Sequence, residues 1–458
     1  MRRLAVLLIA ALGFATVAHG QSTPPTGGIA IPDMPSTTCY TGFAPGSPGA
    51  FTYGTCVDGT DHVTGQHGGL FTDPVTGLNS NTPPAQYDAD ARQLAASLQP
   101  LDTTGAVNTT AGRIVADGLG MSNINFKMAG YASAGPNQRT FAQSYYPYSF
   151  LPQAQATLAA NAWVIPCTHS GWQALRWVDN NAVPGSYSSC PYSGWAYRVN
   201  GNPVTVVPAK QVQVVIFEDA DAGPPGNLQK GPAGVPFDPM TATTDCQYFS
   251  PGVTSTTEAS GAGAPPGSPS LGAAGHLVDA CAYEQYIGMM ARFVKTIWPN
   301  VKMIFLLSRT FGGYATVPLS PEPYAYEYGF ATKQLVYCQM LQQATGVVPV
   351  QNGPCGAAGD LGYTVADLIA NGGQSKAPML LWGPSWWAAG ATPCGNCTPT
   401  TGGAQVTWLS SDFCGPTDPT ISCDSLNDFT HPNQSGVTKA ADVLLNFFNA
   451  ANPYTPWW

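Results

Sequence analysis

Apolar residues fall into short runs at 114–116, 162–165, 212–217, 303–307 and 378–382, interrupted by a polar residue only at Gln213. A strand buried on both faces needs such a run, because alternate side chains point to opposite faces and both must be apolar. Helical spacing fills the intervals. Tyr87, Ala91, Leu94 and Leu98 share one helix face, and Tyr283, Ile287, Met290, Val294 and Ile297 share another that stops at Pro299. Tyr328, Ala331, Leu335, Cys338 and Leu341 form a third, and Val437, Ala441, Leu444 and Phe448 close the chain with a fourth. Short apolar strands alternating with amphipathic helices predict an α/β protein: a three-layer α/β/α arrangement around a parallel sheet of about five strands. In such sheets ligands sit at the carboxyl ends of the strands.

The periodic region is expected to form one domain over 86–458. Residues 21–85 are rich in Gly, Pro, Thr and Ser, and are expected to pack on that domain as an extended segment. A second Gly/Pro-rich stretch, 222–275, reads as an insertion whose role composition does not choose. Residues 1–20 have the layout of a secretory signal. Arg2 and Arg3 precede an apolar run, and Ala18-His19-Gly20 supplies small residues for cleavage near Gly20. The run is short for a membrane span, and no later one is long enough. A secreted or periplasmic location is therefore expected.

Composition narrows the function. Only 9% of the 458 residues are charged and the formal net charge is −9, which disfavours a phosphate-backbone partner, so no nucleic acid is expected. The oligomeric state is not readable. Twelve cysteines in an exported chain imply disulfides. Proximity in sequence suggests Cys39–Cys56, Cys167–Cys190 and Cys414–Cys423. Cys394-Gly-Asn-Cys397 sits in a Gly/Thr/Pro-rich loop, which favours a structural role over a redox one. There is no H-E-x-x-H or similar metal spacing and no Gly-rich phosphate loop, so neither a catalytic metal nor a cofactor is expected.

Two local patterns carry chemistry. Asn427-Asp428-Phe429-Thr430-His431-Pro432 precedes the last helix. An Asp three residues before a His can hold the imidazole tautomer and stabilise its protonated form. The bland alternative is an N-cap Asp beside an incidental His. Gly120-Met121-Ser122-Asn123 follows the first strand, where a sharp strand-to-helix turn exposes a serine at the carboxyl edge of the sheet. A Ser after such a turn is otherwise a helix cap.

Together these residues resemble the SGNH/GDSL-type serine hydrolases, in an uncharacterised secreted bacterial branch. Asp428, His431 and Pro432 with the following helix are similar to the family's last block, and Ser122 stands where its nucleophile stands. Further phrases are Ser308-Arg309, Gly312-Gly313-Tyr314-Ala315, residues 321–327 and Trp382-Gly383-Pro384. The resemblance implies the SGNH fold and a Ser122–His431–Asp428 triad that cleaves esters. Gly171 takes the second-block glycine position after Ala162 to Ile165. The implied oxyanion donors are Ser122 and Gly171. Two departures stand out: Met121 replaces the usual Asp, and the third-block Gly-x-Asn-Asp is replaced by Glu218-Asp219-Ala220-Asp221. The family's donor Asn thus has Asp221 as its nearest position, with Asn123 and Asn227 as alternatives.

Arg309 and Trp386 fall beyond predicted strands and Trp382 ends one, all at the active edge, and they are candidate substrate-binding residues. For Arg309, with Glu322 and Glu327 nearby in sequence, the stronger reading is an internal Arg–Glu pair holding the loop. The expected function is a secreted serine esterase acting on a small ester or an O-acylated polysaccharide. Two rivals remain: a non-catalytic carbohydrate- or ligand-binding protein on the same scaffold, and an acyltransferase using the same triad.

Overall fold

A computed structural model describes residues 38–43, 51–55, 70–77, 79–80, 82–129, 147–168, 197–199, 202–204, 207–220, 280–315, 324–349, 355, 358–385, 387, 407–416, 423 and 426–458. The signal-like segment, the 222–275 insertion, Cys394, Cys397, Gly171, Asp221, Asn227 and Trp386 lie outside them.

The five apolar runs are five strands: β1 Ile114–Gly120, β2 Ala162–Thr168, β3 Val212–Glu218, β4 Met303–Leu306 and β5 Met379–Trp382. They form one parallel sheet in the order β5-β4-β3-β1-β2. All residues of β1, β3, β4 and β5 are buried, as a sheet covered on both faces requires. The covering helices are α1 Ala85–Ala96, α2 Ser122–Ala129, α3 Phe150–Ala154, α4 Ala280–Ile297, α5 Tyr324–Thr345, α6 Val365–Ile369 and α7 Gln434–Phe447. α2, α3 and α7 pack on one another, and α4 packs on α5. The architecture is thus α/β with a parallel sheet between helices.

Two side chains protect the edge of β5. Gln339 Oε1 accepts the Leu380 N–H at 2.7 Å, and Tyr87 Oη donates to the Leu380 carbonyl at 2.7 Å. With the outward main-chain groups of Leu380 occupied, β5 is a poorer template for another chain. Among the described cysteines none is free. Cys414–Cys423 forms as expected, and Cys338 joins Cys355, another pair of sequence neighbours. Cys167 is also disulfide-bonded; its expected partner Cys190 is outside the described residues, as is Cys56. Among the described residues no helix is long and apolar enough to cross a membrane.

The strand order determines where a ligand can enter. After β1 the chain adds β2 on one side, then crosses to place β3 on the other. At such a reversal the connections leave β1 in opposite directions and open a crevice at its carboxyl end. Ser122 stands two residues beyond that end.

Candidate active site

Ser122 is placed by a turn that only glycine permits. Gly120 has φ of 140°, and a β-carbon there would overlap the Glu218 carbonyl and crowd Ile124. The chain leaves β1 against β3 and enters α2 at once. The first helical hydrogen bond runs from the Asn125 N–H to the Met121 carbonyl at 3.3 Å, so the N–H groups at the start of α2 have no helical acceptor.

His431 and Asp428 reach the same place from the other end of the chain. His431 Nε2 lies 2.7 Å from Ser122 Oγ, and His431 Nδ1 lies 2.5 Å from Asp428 Oδ2. All three residues are buried, at 6–7% exposure. Asp428 Oδ1 accepts the N–H groups of Thr430 at 2.9 Å and His431 at 3.0 Å, so both carboxylate oxygens are engaged. Burial alone would raise the Asp428 carboxyl. The facing imidazole and these N–H donors outweigh it and hold the group below its ordinary range. With Asp428 ionised, Nδ1 carries the proton and Nε2 is free to accept from the serine hydroxyl.

Phe126 completes the seat. It is fully buried, and its ring lies 5.0 Å from the imidazole, centroid to centroid, at 36°. Ser122 and Phe126 are four residues apart on α2, so one helix face meets His431 with a hydroxyl and an aromatic ring.

The acidic cluster after β3 has its first charge neutralised. Glu218 Oε1 accepts from Lys127 Nζ at 2.5 Å and from Arg309 Nη1 at 3.1 Å, and all three side chains are at most 3% exposed. Burial pushes the Lys127 ammonium down to about 8; Glu218 opposes that shift and Arg309 adds to it. Arg309 is thus in a buried ion pair with Glu218 of β3, a glutamate that proximity in sequence did not single out. Trp382 is only 2% exposed and its indole N–H donates to the Leu70 carbonyl at 2.6 Å, so its ring packs as core instead of lining a site. Asn123 is 1% exposed, and its buried Oδ1 has no hydrogen-bond partner among the described residues. Gly171, Asp221 and Trp386 receive no placement.

Sequence reasoning missed Phe126 and Lys127. The i, i+4 spacing from Ser122 was a usable signal for Phe126. Lys127 had none, because its partner Glu218 comes from a strand far away in sequence. The arrangement has the parts of nucleophilic acyl transfer: a hydroxyl, a base oriented by a carboxylate, and N–H groups at a helix start that have no helical acceptor. Among the described residues no group of three or more His, Cys, Asp or Glu could hold a metal ion.

No protein-family model matches the chain, and no curated protein matches it. Solved structures similar to it include a carbohydrate esterase whose active site displays divergent catalytic and non-catalytic binding functions. It is 14% identical over 52% of this chain, with a TM-score of 0.24, and this chain spans 56% of its length. A carbohydrate esterase family 2 enzyme with a carbohydrate-binding domain, from Corynascus thermopiles (Myceliophthora fergusii), is 15% identical. The match covers 69% of this chain and 82% of that one, with a TM-score of 0.24.

Proposed function

We propose that this chain is a serine hydrolase of carboxylic esters, with Ser122 as nucleophile, His431 as general base and Asp428 as its orienting carboxylate. The observation that carries this reading is the continuous hydrogen-bonded line from Ser122 Oγ to His431 Nε2 and from His431 Nδ1 to Asp428 Oδ2, at the carboxyl edge of the sheet. Ser122 Oγ attacks the acyl carbon while His431 Nε2 takes its proton. Asp428 stabilises the imidazolium. The oxyanion rests on the Ser122 N–H at the start of α2, with Asn123 and Gly171 as further proposed donors and Asp221 as the position matching the family's Asn. The imidazolium then protonates the leaving alkoxide, and an acyl-enzyme remains. Water, deprotonated by His431, attacks the acyl carbon, and the acid leaves as Ser122 regains its proton. O-acyl groups on carbohydrates are the proposed substrate class, since the chain begins with an export-signal pattern and such esters are met outside the cell.

A fluorophosphonate probe tests the reading directly. The wild type should be labelled on Ser122, and Ser122→Ala should lose both the label and turnover of a p-nitrophenyl ester. No labelling of correctly folded wild type would overturn the reading and leave a binding protein on the same scaffold. Transfer of the acyl group to an added alcohol in preference to water would reassign it as an acyltransferase.

A further inference from the structure

The segment carrying Asp428 and His431 has a backbone that its own sequence does not favour. Phe429 has φ of 50°, in the left-handed region. A bulky residue stays there only where its surroundings over-determine it, at a cost on the order of 1–3 kcal/mol.

Those surroundings are one short segment, residues 411–414. The Cys414 carbonyl accepts the N–H of Asp428 at 3.2 Å and of Phe429 at 3.0 Å, while the Cys414 N–H donates to the His431 carbonyl at 2.9 Å. Phe413 bridges Pro432 in antiparallel fashion. The Asp412 carbonyl accepts the Asn433 N–H at 2.9 Å. Asn433 Nδ2 donates to the carbonyls of Ser411 at 2.8 Å and Phe413 at 3.3 Å, while its Oδ1 caps α7 through Ser435 and Gly436.

The segment is itself pinned twice. The Cys414–Cys423 disulfide holds one end, and both cysteines are buried. The buried Asp412 side chain holds the other. Its Oδ2 accepts from the Leu409 N–H at 2.8 Å and Lys439 Nζ at 2.5 Å, and its Oδ1 accepts from Ser435 Oγ at 2.7 Å. Gly436 lets α7 come this near, because a β-carbon there would overlap the Asp412 carbonyl.

We propose that residues 411–414, fixed by the Cys414–Cys423 disulfide and the Asp412–Lys439 ion pair, are the template that positions Asp428 and His431 for catalysis. Asp412, Cys414 and Cys423 are then positioning residues: none is bonded to Ser122 or to the imidazole nitrogens. The inference rests on the Ser122–His431–Asp428 reading. Its force lies in geometry, since a misplacement of about 1 Å can cost about 100-fold in rate.

The test compares wild type with Cys414→Ala/Cys423→Ala, Asp412→Asn and, as a control, Cys338→Ala/Cys355→Ala. Each is measured for kcat and KM on a p-nitrophenyl ester, for thermal midpoint, and for the downfield proton resonance of the His431 Nδ1–H. Both template variants, at temperatures where they are folded, should lose roughly 100-fold in kcat at unchanged KM and lose or shift the resonance. The control should lower the midpoint alone. A folded template variant with wild-type kcat and resonance overturns the inference. If the double cysteine variant does not fold, Asp412→Asn decides. Ester turnover retained in Ser122→Ala would remove the hydrolase reading, while the resonance would still report on the template.

Discussion

The backbone of Gly120 lies so close to the Glu218 carbonyl that a single methyl group does not fit between them. The two residues are register partners at the carboxyl ends of β1 and β3. Gly120→Ala therefore meets both a steric overlap and a φ that L residues avoid. It should lower stability by roughly 3 kcal/mol or more in urea unfolding. A loss under about 0.5 kcal/mol, the range of an ordinary surface change, would show that the turn adjusts freely.

Phe126 supports His431 from below. Phe126→Ala should cost about 3–5 kcal/mol of stability through the cavity it leaves. It should also lower kcat more than it raises KM, because the imidazole loses a wall. Phe126→Leu should restore most of the stability and part of kcat; steady-state kinetics beside thermal melts separate the two effects.

Asp428→Asn removes the negative charge and frees Nδ1 and Nε2 to exchange their proton. On the mechanism proposed above, kcat should fall by about 10⁴ with KM little changed. A loss of less than tenfold would detach Asp428 from the chemistry.

Lys127 makes stability depend on alkaline pH in a definite direction. Its folded value is about 8 against an ordinary value of 10.5. Between those values the unfolded chain holds more protons than the folded one, so stability rises with pH across that window. The rise attributable to Lys127 should be on the order of 3 kcal/mol and should be absent in Lys127→Met. Urea unfolding of both proteins at pH 7.5, 9 and 10.5 gives the comparison.

The strands were legible because each buries both faces, so their apolar runs needed no partner information. Their limits were less legible: β1 continues past its run at 114–116 to Gly120 and β2 past 162–165 to Thr168, while β3 extends to Glu218, β4 stops at Leu306 and β5 begins at Met379. The short helices α3 and α6, of five residues each, escaped notice because five residues hold too little of a helical repeat to be seen. Ser122, Asp428 and His431 were readable because each sits in a local pattern that a turn or a helix start creates. Lys127 with Glu218, and the Asp412 clasp, were not, since they exist only where separate strands and loops meet. Trp382 shows the opposite failure. Its position at the end of a strand suggested the crevice, but β5 is the edge strand, and Leu70 takes up the indole N–H there.

Ser122 and His431 are 309 residues apart in the chain. At roughly 5–20 residues per second, a ribosome needs about 15–60 seconds to pass from one to the other. Through that interval the growing polypeptide carries its serine, its first strand and its first turn, but no base to draw off the hydroxyl proton. A fragment cut anywhere before His431 is in the same condition. The order of the residues along the chain thus works as a timer, and the reactive pair comes into being only after synthesis has passed His431.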